Sequence, residues 1–239
     1  MKKKVFVISD VHSHYSSMIM ALKKSGYDSN NQTHHLIVLG DLFDRGSETV
    51  KVLEYLYDLS KQKKATIILG NHDVFLLDFL EKKFERTFFN IKHNGFGKTL
   101  EHLSGITPKE ENLEELEIKI SSRFPFLKEW LESFPLFLEM GDYIFVHGGI
   151  DGNMLDWRTM SSRRDFVWGR EYNLPRVQDK IVVAGHHRVA TIRKKTEDYH
   201  LLFLHSPELF DILYEEGKIL IDRFVEISNE INVLILDLN

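Results

Sequence analysis

The chain has 239 residues, a net charge of −5, 43% hydrophobic and 28% charged residues, a profile expected of a soluble globular protein with a sizeable core. It contains no cysteine, which excludes disulfides, thiolate metal sites and cysteine nucleophiles together. The acidic balance gives no global attraction to nucleic acid or anionic lipid, so neither is expected as a partner and any phosphate affinity must be local.

The basic start, Met1-Lys2-Lys3-Lys4, is followed by an apolar stretch of residues 5–8 only, too short for a secretory core, and no run approaches a membrane span. A cytoplasmic protein is expected. Residues 5–8, 36–39 and 65–69 are short β-branched and aliphatic runs suited to strands buried on both faces. Residues 15–25 carry Met18, Ala21 and Leu22 at helical spacing, and residues 48–59 carry Val52, Leu53, Leu56 and Leu59. This alternation of strand and helix predicts parallel pairing with right-handed crossovers. A further helix is expected over residues 74–84. From about 85 to 134 the pattern changes: Asn94-Gly95-Phe96-Gly97 breaks the chain, residues 110–120 are acidic and helical, and residues 123–134 gather aromatic side chains around Pro125. This reads as a mostly helical insert in a single domain of residues 1–239, either lying near the active edge or forming a solvated hairpin without a catalytic role. Strands resume at 136–139 and 143–146, joined through Met140-Gly141-Asp142 as a tight hairpin. Residues 181–184, 201–204, 219–222 and 233–236 are expected as strands, the last three in a second sheet.

Polar clusters follow five of the apolar runs. They are Ser9-Asp10-Val11-His12, Gly40-Asp41-Leu42-Phe43-Asp44-Arg45-Gly46, Gly70-Asn71-His72-Asp73, Val146-His147-Gly148-Gly149 and Gly185-His186-His187. Loops at the carboxyl ends of strands are where open α/β sheets bind ligands. Asp10 and His12 stand two apart and can grip one metal, Asp41 can bridge two, and Asn71, His147 and His186 can complete the second. Hard oxygens with imidazole and no sulfur predict two divalent ions, Mn²⁺ first, with Fe or Zn²⁺ as alternatives. The Arg45 guanidinium suits a phosphate. His72, next to Asn71 and oriented by Asp44, is placed for a general acid. His14 and His187 adjoin the motifs and are as readily bystanders.

These clusters resemble the calcineurin-like metallophosphoesterases, in the branch of bacterial phosphoprotein phosphatases and symmetrical diadenosine-tetraphosphate hydrolases. The resemblance implies an α/β fold of four layers, α/β/β/α. It also implies a bridging hydroxide that attacks phosphorus, with Asp10, His12 and Asp41 on one metal and Asp41, Asn71, His147 and His186 on the other. A second phosphate-binding arginine is implied too, Arg170 in Val167-Trp168-Gly169-Arg170, with Arg158 as its rival. Ser9 and Ser13 depart from the family's two glycines in the first motif, and His187 replaces a small residue or tryptophan. Asp73 and the stretch 126–150 look like the tetraphosphatases, Asp44 like the protein phosphatases. The expected function is therefore phosphomonoester hydrolysis by a serine/threonine protein phosphatase, on a phosphorylated protein or a small phosphoester. Dinucleoside-polyphosphate hydrolysis is the alternative, and a non-catalytic scaffold or a nuclease is disfavoured.

Overall fold

The computed structural model describes residues 3–151, 156–169, 177 and 180–238. Among the described residues nine strands form two sheets. The first contains β1 (Lys3–Ile8), β2 (His34–Val38), β3 (Ala65–Ile67) and β9 (Leu234–Leu238), in the order β3-β2-β1-β9. Its first three strands are parallel, as their crossovers demand, and β9 runs antiparallel to β1. The second contains β4 (Phe137–Met140), β5 (Tyr143–Val146), β6 (Ile181–Ala184), β7 (Leu213–Glu215) and β8 (Lys218–Leu220), in the order β4-β5-β6-β8-β7.

The period-two alternation of each strand builds the layers. Val5, Val7 and Ile37 point inward onto Phe145, Val183 and Ile219 of the second sheet. Their neighbours Phe6, Ile8, Leu36 and Val38 point outward onto α1 (Tyr15–Lys24) and α2 (Thr49–Lys61) through Met18, Leu22, Val52 and Leu56. On the far side, Ile144, Val146, Ala184 and Leu220 pack against Trp157 and Phe166. The result is the α/β/β/α arrangement, with three apolar clusters between the layers.

Helix α3 (Asn71–Leu80) starts directly from the third strand's loop. The segment after it is helical: α4 (Thr87–His93), α5 (Phe96–Ser104), α6 (Leu113–Arg123) and α7 (Leu127–Glu132). It is no solvated hairpin. Leu100, Leu103, Leu116, Ile120, Leu127 and Trp130 are buried in the same cluster as Leu53 and Leu76, and the Trp130 indole donates to Ser60 Oγ at 2.9 Å. Beyond β5 come α8 (Trp157–Met160), α9 (Arg163–Trp168), α10 (Val189–Arg193), α11 (Tyr199–His205) and α12 (Val225–Ser228). No helix among the described residues is long and apolar enough to cross a membrane.

Two expected strands differ. Residues 201–204 lie in α11, because the Asp198 carboxylate caps the Leu201 N–H at 2.8 Å and starts a helix there. Their apolar run is no buried strand: Leu201 and Leu204 are 54% and 75% exposed, and a four-residue apolar run does not by itself distinguish helix from strand. Residues 233–236 form part of β9 and join the first sheet, where Leu236 pairs with Val5 and Leu234 with Val7.

Candidate active site and metal centre

The carboxyl ends of β1, β2, β3, β5 and β6 meet at one edge, and their loops are held in conformations that side chains seldom adopt. Asp10, His12, Ser13, Asp41, Asp44, Arg45 and His186 all have positive φ, between 44° and 74°. Backbone of this kind persists only where surrounding contacts over-determine it. Here the loops bond to one another: Asp10 N–H donates to Gly40 O, His12 N–H to Asp41 O and Ser13 N–H to Leu42 O, at 2.9–3.2 Å. Gly70 is required by contact, since a Cβ there would lie 2.2 Å from the Asp41 nitrogen.

The imidazoles are aimed by the backbone. His12 Nδ1 donates to Phe43 O at 2.9 Å and His147 Nδ1 to Leu39 O at 2.5 Å, which leaves each Nε2 facing the centre. Such bonds fix the tautomer of a metal-binding histidine. His147 Nε2 lies 2.9 Å from Asn71 Oδ1 and 3.3 Å from Asp41 Oδ1, while His12 Nε2 lies 3.7 Å from Asp41 Oδ2. Burial holds both imidazoles below their ordinary pKa, so their lone pairs stay available. Burial pushes the Asp41 carboxyl up, and the histidines around it, His147 first, pull it below the ordinary carboxylate range to the extent that they carry a proton. Asp10 goes the other way, raised by burial and by Asp222 and Asp41 beside it, and Asp222 is pushed up to about 7 by burial and Glu226.

Three buried carboxylates around a common centre, with neutral imidazoles pointing lone pairs at them, suit divalent cations. The donor atoms of His12, Asp41 and His72 lie within 4.8 Å of one another, as do those of Asp41, His147 and His186. Asp41 belongs to both groups, as a bridging ligand should. His72 takes the place in the first trio that was expected for Asp10. Asp10 sits at the rim of the second, accepting from His186 N–H at 2.9 Å.

His72 Nδ1 donates to Asp44 Oδ2 at 2.5 Å, and its Nε2 accepts from Arg45 Nη2 at 2.9 Å. Arg45 Nη1 donates to His12 Nε2 at 2.6 Å. The helical segment supports this dyad. Thr99 of α5 donates its hydroxyl to Asp44 Oδ1, and the same oxygen accepts from Asp44 N–H at 2.9 Å. Lys98 Nζ donates to Arg45 O at 2.9 Å. Sequence reasoning carried no signal for Thr99.

A cleft of about 320 Å³ opens over Asp10, Asp41, Asn71, His72 and His186, and Arg45, Arg188, Asp222 and Trp168 also line it. Arg170 lies outside the described residues. Its rival Arg158 is paired with Glu139 and does not line this cleft. His187 lies on the wall, Nε2 against Gly148 O at 3.0 Å, and His14 stands at the N-cap position of α1 without a side-chain capping bond, its Nδ1 3.3 Å from Val11 O. The departure at Ser13 is accommodated by a hydrogen bond between its Oγ and Thr49 Oγ1 at 3.0 Å.

Asp73 has a structural task. Its carboxylate accepts from the N–H groups of Asp41, Leu42 and Gly70 at 2.9–3.0 Å, tying two loops together. Asp73→Ala leaves three buried donors without a partner and is expected to cost about 3 kcal/mol or more of unfolding free energy in urea titration.

A family model for the calcineurin-like phosphoesterases matches residues 3–229. The chain is 27% identical over 172 residues to an asymmetrical bis(5'-nucleosyl)-tetraphosphatase of Oceanobacillus iheyensis, covering 70% of this chain and 64% of that one. It is 44% identical over 73 residues to a symmetrical bis(5'-nucleosyl)-tetraphosphatase of Buchnera aphidicola, covering 30% of this chain and 25% of that one. The matches thus span less than two thirds of these relatives. In structure it resembles a protein serine/threonine phosphatase from Saccharomyces cerevisiae, with a TM-score of 0.56 at 14% identity over 99% of this chain and 80% of that one.

Proposed function

Because this chain belongs to the calcineurin-like phosphoesterases, we propose that it is a metal-dependent phosphoric ester hydrolase whose substrate is a dinucleoside polyphosphate. Asp10, His12, Asp41, Asn71, His147 and His186 would hold two divalent ions, Mn²⁺ the first choice. Bound there, the ions would supply Lewis acidity that neutralises phosphate charge and lowers the pKa of a water. The rest falls to side chains of this chain. Arg45 binds a non-bridging phosphate oxygen. As the oxygen of water bonds to phosphorus in line, the bond to the leaving oxygen breaks. His72, oriented by Asp44 through Nδ1, is the side chain placed to give that oxygen a proton from Nε2, once Nε2 carries one in place of its bond from Arg45.

One observation carries the choice of substrate. The exposed ring of Trp168 forms a wall common to the small cleft and to a second cleft of about 1010 Å³. Arg86, Arg163 and Arg164 line the second cleft, and among the described residues none of the three has an ion-pair partner. A phosphate chain longer than one group needs such a continuation, which a phosphomonoester does not use. The three aspartates on the same wall, Asp78, Asp151 and Asp165, keep the cleft from being a general anion trap. The names of the sequence relatives support the same reading.

Steady-state comparison tests it. The kcat/KM for diadenosine tetraphosphate is expected to exceed that for the best phosphopeptide by a hundredfold or more, about 2.7 kcal/mol of transition-state preference. The double variant Arg163→Ala/Arg164→Ala is expected to lower it about tenfold while leaving p-nitrophenyl phosphate almost unchanged. The reverse ranking of substrates returns the protein to the phosphomonoester reading, as a serine/threonine protein phosphatase.

A further inference from the structure

The cleft contains an arrangement that no sequence motif announces. Glu226, in the first turn of α12, sends one oxygen between two arginines: Arg45 Nη1 donates to Oε1 at 2.6 Å and Arg188 Nη2 donates to the same atom at 2.8 Å. Two guanidinium groups this close repel each other. The shared carboxylate offsets that repulsion and sets their separation. Burial pushes the Glu226 carboxyl up, but the guanidinium groups of Arg45 and Arg188 beside it act the other way and favour its ionised form.

Arg188 is restrained on a second side. Its guanidinium lies 3.9 Å from the ring centre of Phe224, a cation–π contact. Phe224 is itself fixed in a left-handed conformation with φ 58°, its N–H donating to Asp222 Oδ1 at 2.7 Å. Arg188 directly follows His186-His187 and precedes α10, so the loop that carries a proposed metal ligand carries this arginine too. It lines the small cleft with Asp10, Asp41 and Asn71, and about a third of its side chain is exposed.

We propose that Arg188 is the second phosphate-binding arginine of this site, and that Glu226 is a positioning residue that holds Arg45 and Arg188 as a matched pair for one phosphate group. Arg188 gives Glu226 one terminal nitrogen and keeps further N–H groups for the oxygens of a phosphate. Arg45, which also donates to His12 through Nη1 and to His72 through Nη2, keeps its Nε and its second Nη2 N–H. An arginine held by a carboxylate and an aromatic face loses little freedom on binding, which favours affinity. This inference rests on the reading as a metal-dependent phosphoesterase. It does not depend on whether the substrate is a dinucleotide or a phosphoprotein, since every such substrate presents the same phosphate.

The probe is inorganic phosphate, titrated calorimetrically into the Mn²⁺-loaded protein, with metal content and circular dichroism recorded for each variant. Arg188→Ala is expected to weaken phosphate binding tenfold or more, about 1.4 kcal/mol, with metal content unchanged. Arg188→Lys should recover part of that loss, because the charge returns without the planar fork. Arg223→Ala is the control, its guanidinium being paired with Asp211 and Glu230, and should bind phosphate as the unaltered protein does. Glu226→Gln is expected to weaken phosphate binding and to raise KM more than it lowers kcat, with Glu226→Asp partly restoring both. Unchanged affinity in a folded, metal-replete Arg188→Ala, or a loss confined to Arg170→Ala, overturns the assignment. Tighter phosphate binding in Glu226→Gln would show the carboxylate competing with phosphate and overturn the positioning role. If the unaltered protein binds two metals but no phosphate, the phosphoesterase reading falls and this inference with it.

Discussion

Asp41→Asn is expected to reduce phosphoesterase activity by about a thousandfold or more, which is about 4 kcal/mol of transition-state stabilisation, and to lower the metal content from two ions per chain to one or none. Asp41 is the residue common to both donor trios. A carboxylate bridges through two equivalent anionic oxygens, whereas an amide offers one neutral oxygen and a donor that points its hydrogens at any cation. The substitution also removes the negative charge that faces His12, His72, His147 and His186. His72 N–H now donates to Asp41 Oδ1 at 2.9 Å, and the amide oxygen can still accept that bond, so the fold should survive. Elemental analysis of folded protein purified with Mn²⁺ and without chelator checks the metal count. Two retained ions with full activity would remove Asp41 from the centre.

His72→Asn is expected to lower kcat by roughly 10²–10⁴, the range for losing a positioned proton donor, while both metals remain bound. The size of the loss should track the leaving group. An alkyl phosphate expels a strongly basic oxygen and needs the proton most, whereas p-nitrophenyl phosphate expels a weakly basic one and should lose least. Asp44→Asn should follow the same order with a smaller loss, because His72 keeps its place against Arg45 but loses the carboxylate that orients its Nδ1. Thr99→Val should resemble a mild Asp44 variant, since Thr99 holds the other oxygen of that carboxylate. Equal losses on alkyl and aryl phosphates would instead make His72 a metal-positioning group, a role its membership of the first donor trio also permits.

The sequence by itself determined the alternation of strand and helix and the cluster of candidate ligands, for reasons local to the chain, while the four layers were implied only by the family resemblance. Strands such as 5–8 and 36–39 are short, apolar and β-branched, and helical spacing between them forces parallel pairing, so the residues that follow each strand must meet at one edge. Asp10, His12, Asp41, Asn71, His147 and His186 could be read as a set because each stands next to its strand. Where a run was too short to carry a period, as at residues 201–204, an aspartate cap decided for helix. The membership of β9 in the first sheet also escaped, because an antiparallel edge strand leaves no mark of which sheet it joins.

Only the tertiary structure decided what surrounds those ligands. Thr99 reaches Asp44 across 55 positions, Glu226 reaches Arg45 across 181, and Arg188 reaches Glu226 across 38. An ion pair or a hydroxyl contact between distant segments imposes no spacing on the chain, so no pattern in the sequence announces it. The same holds for the wall at Trp168 that joins the two clefts, and for Asp73, which looks like part of a motif but serves three backbone donors. Adjacency to a strand is written in the order of residues; the partner a charged side chain finds once the strands have come together is fixed by packing.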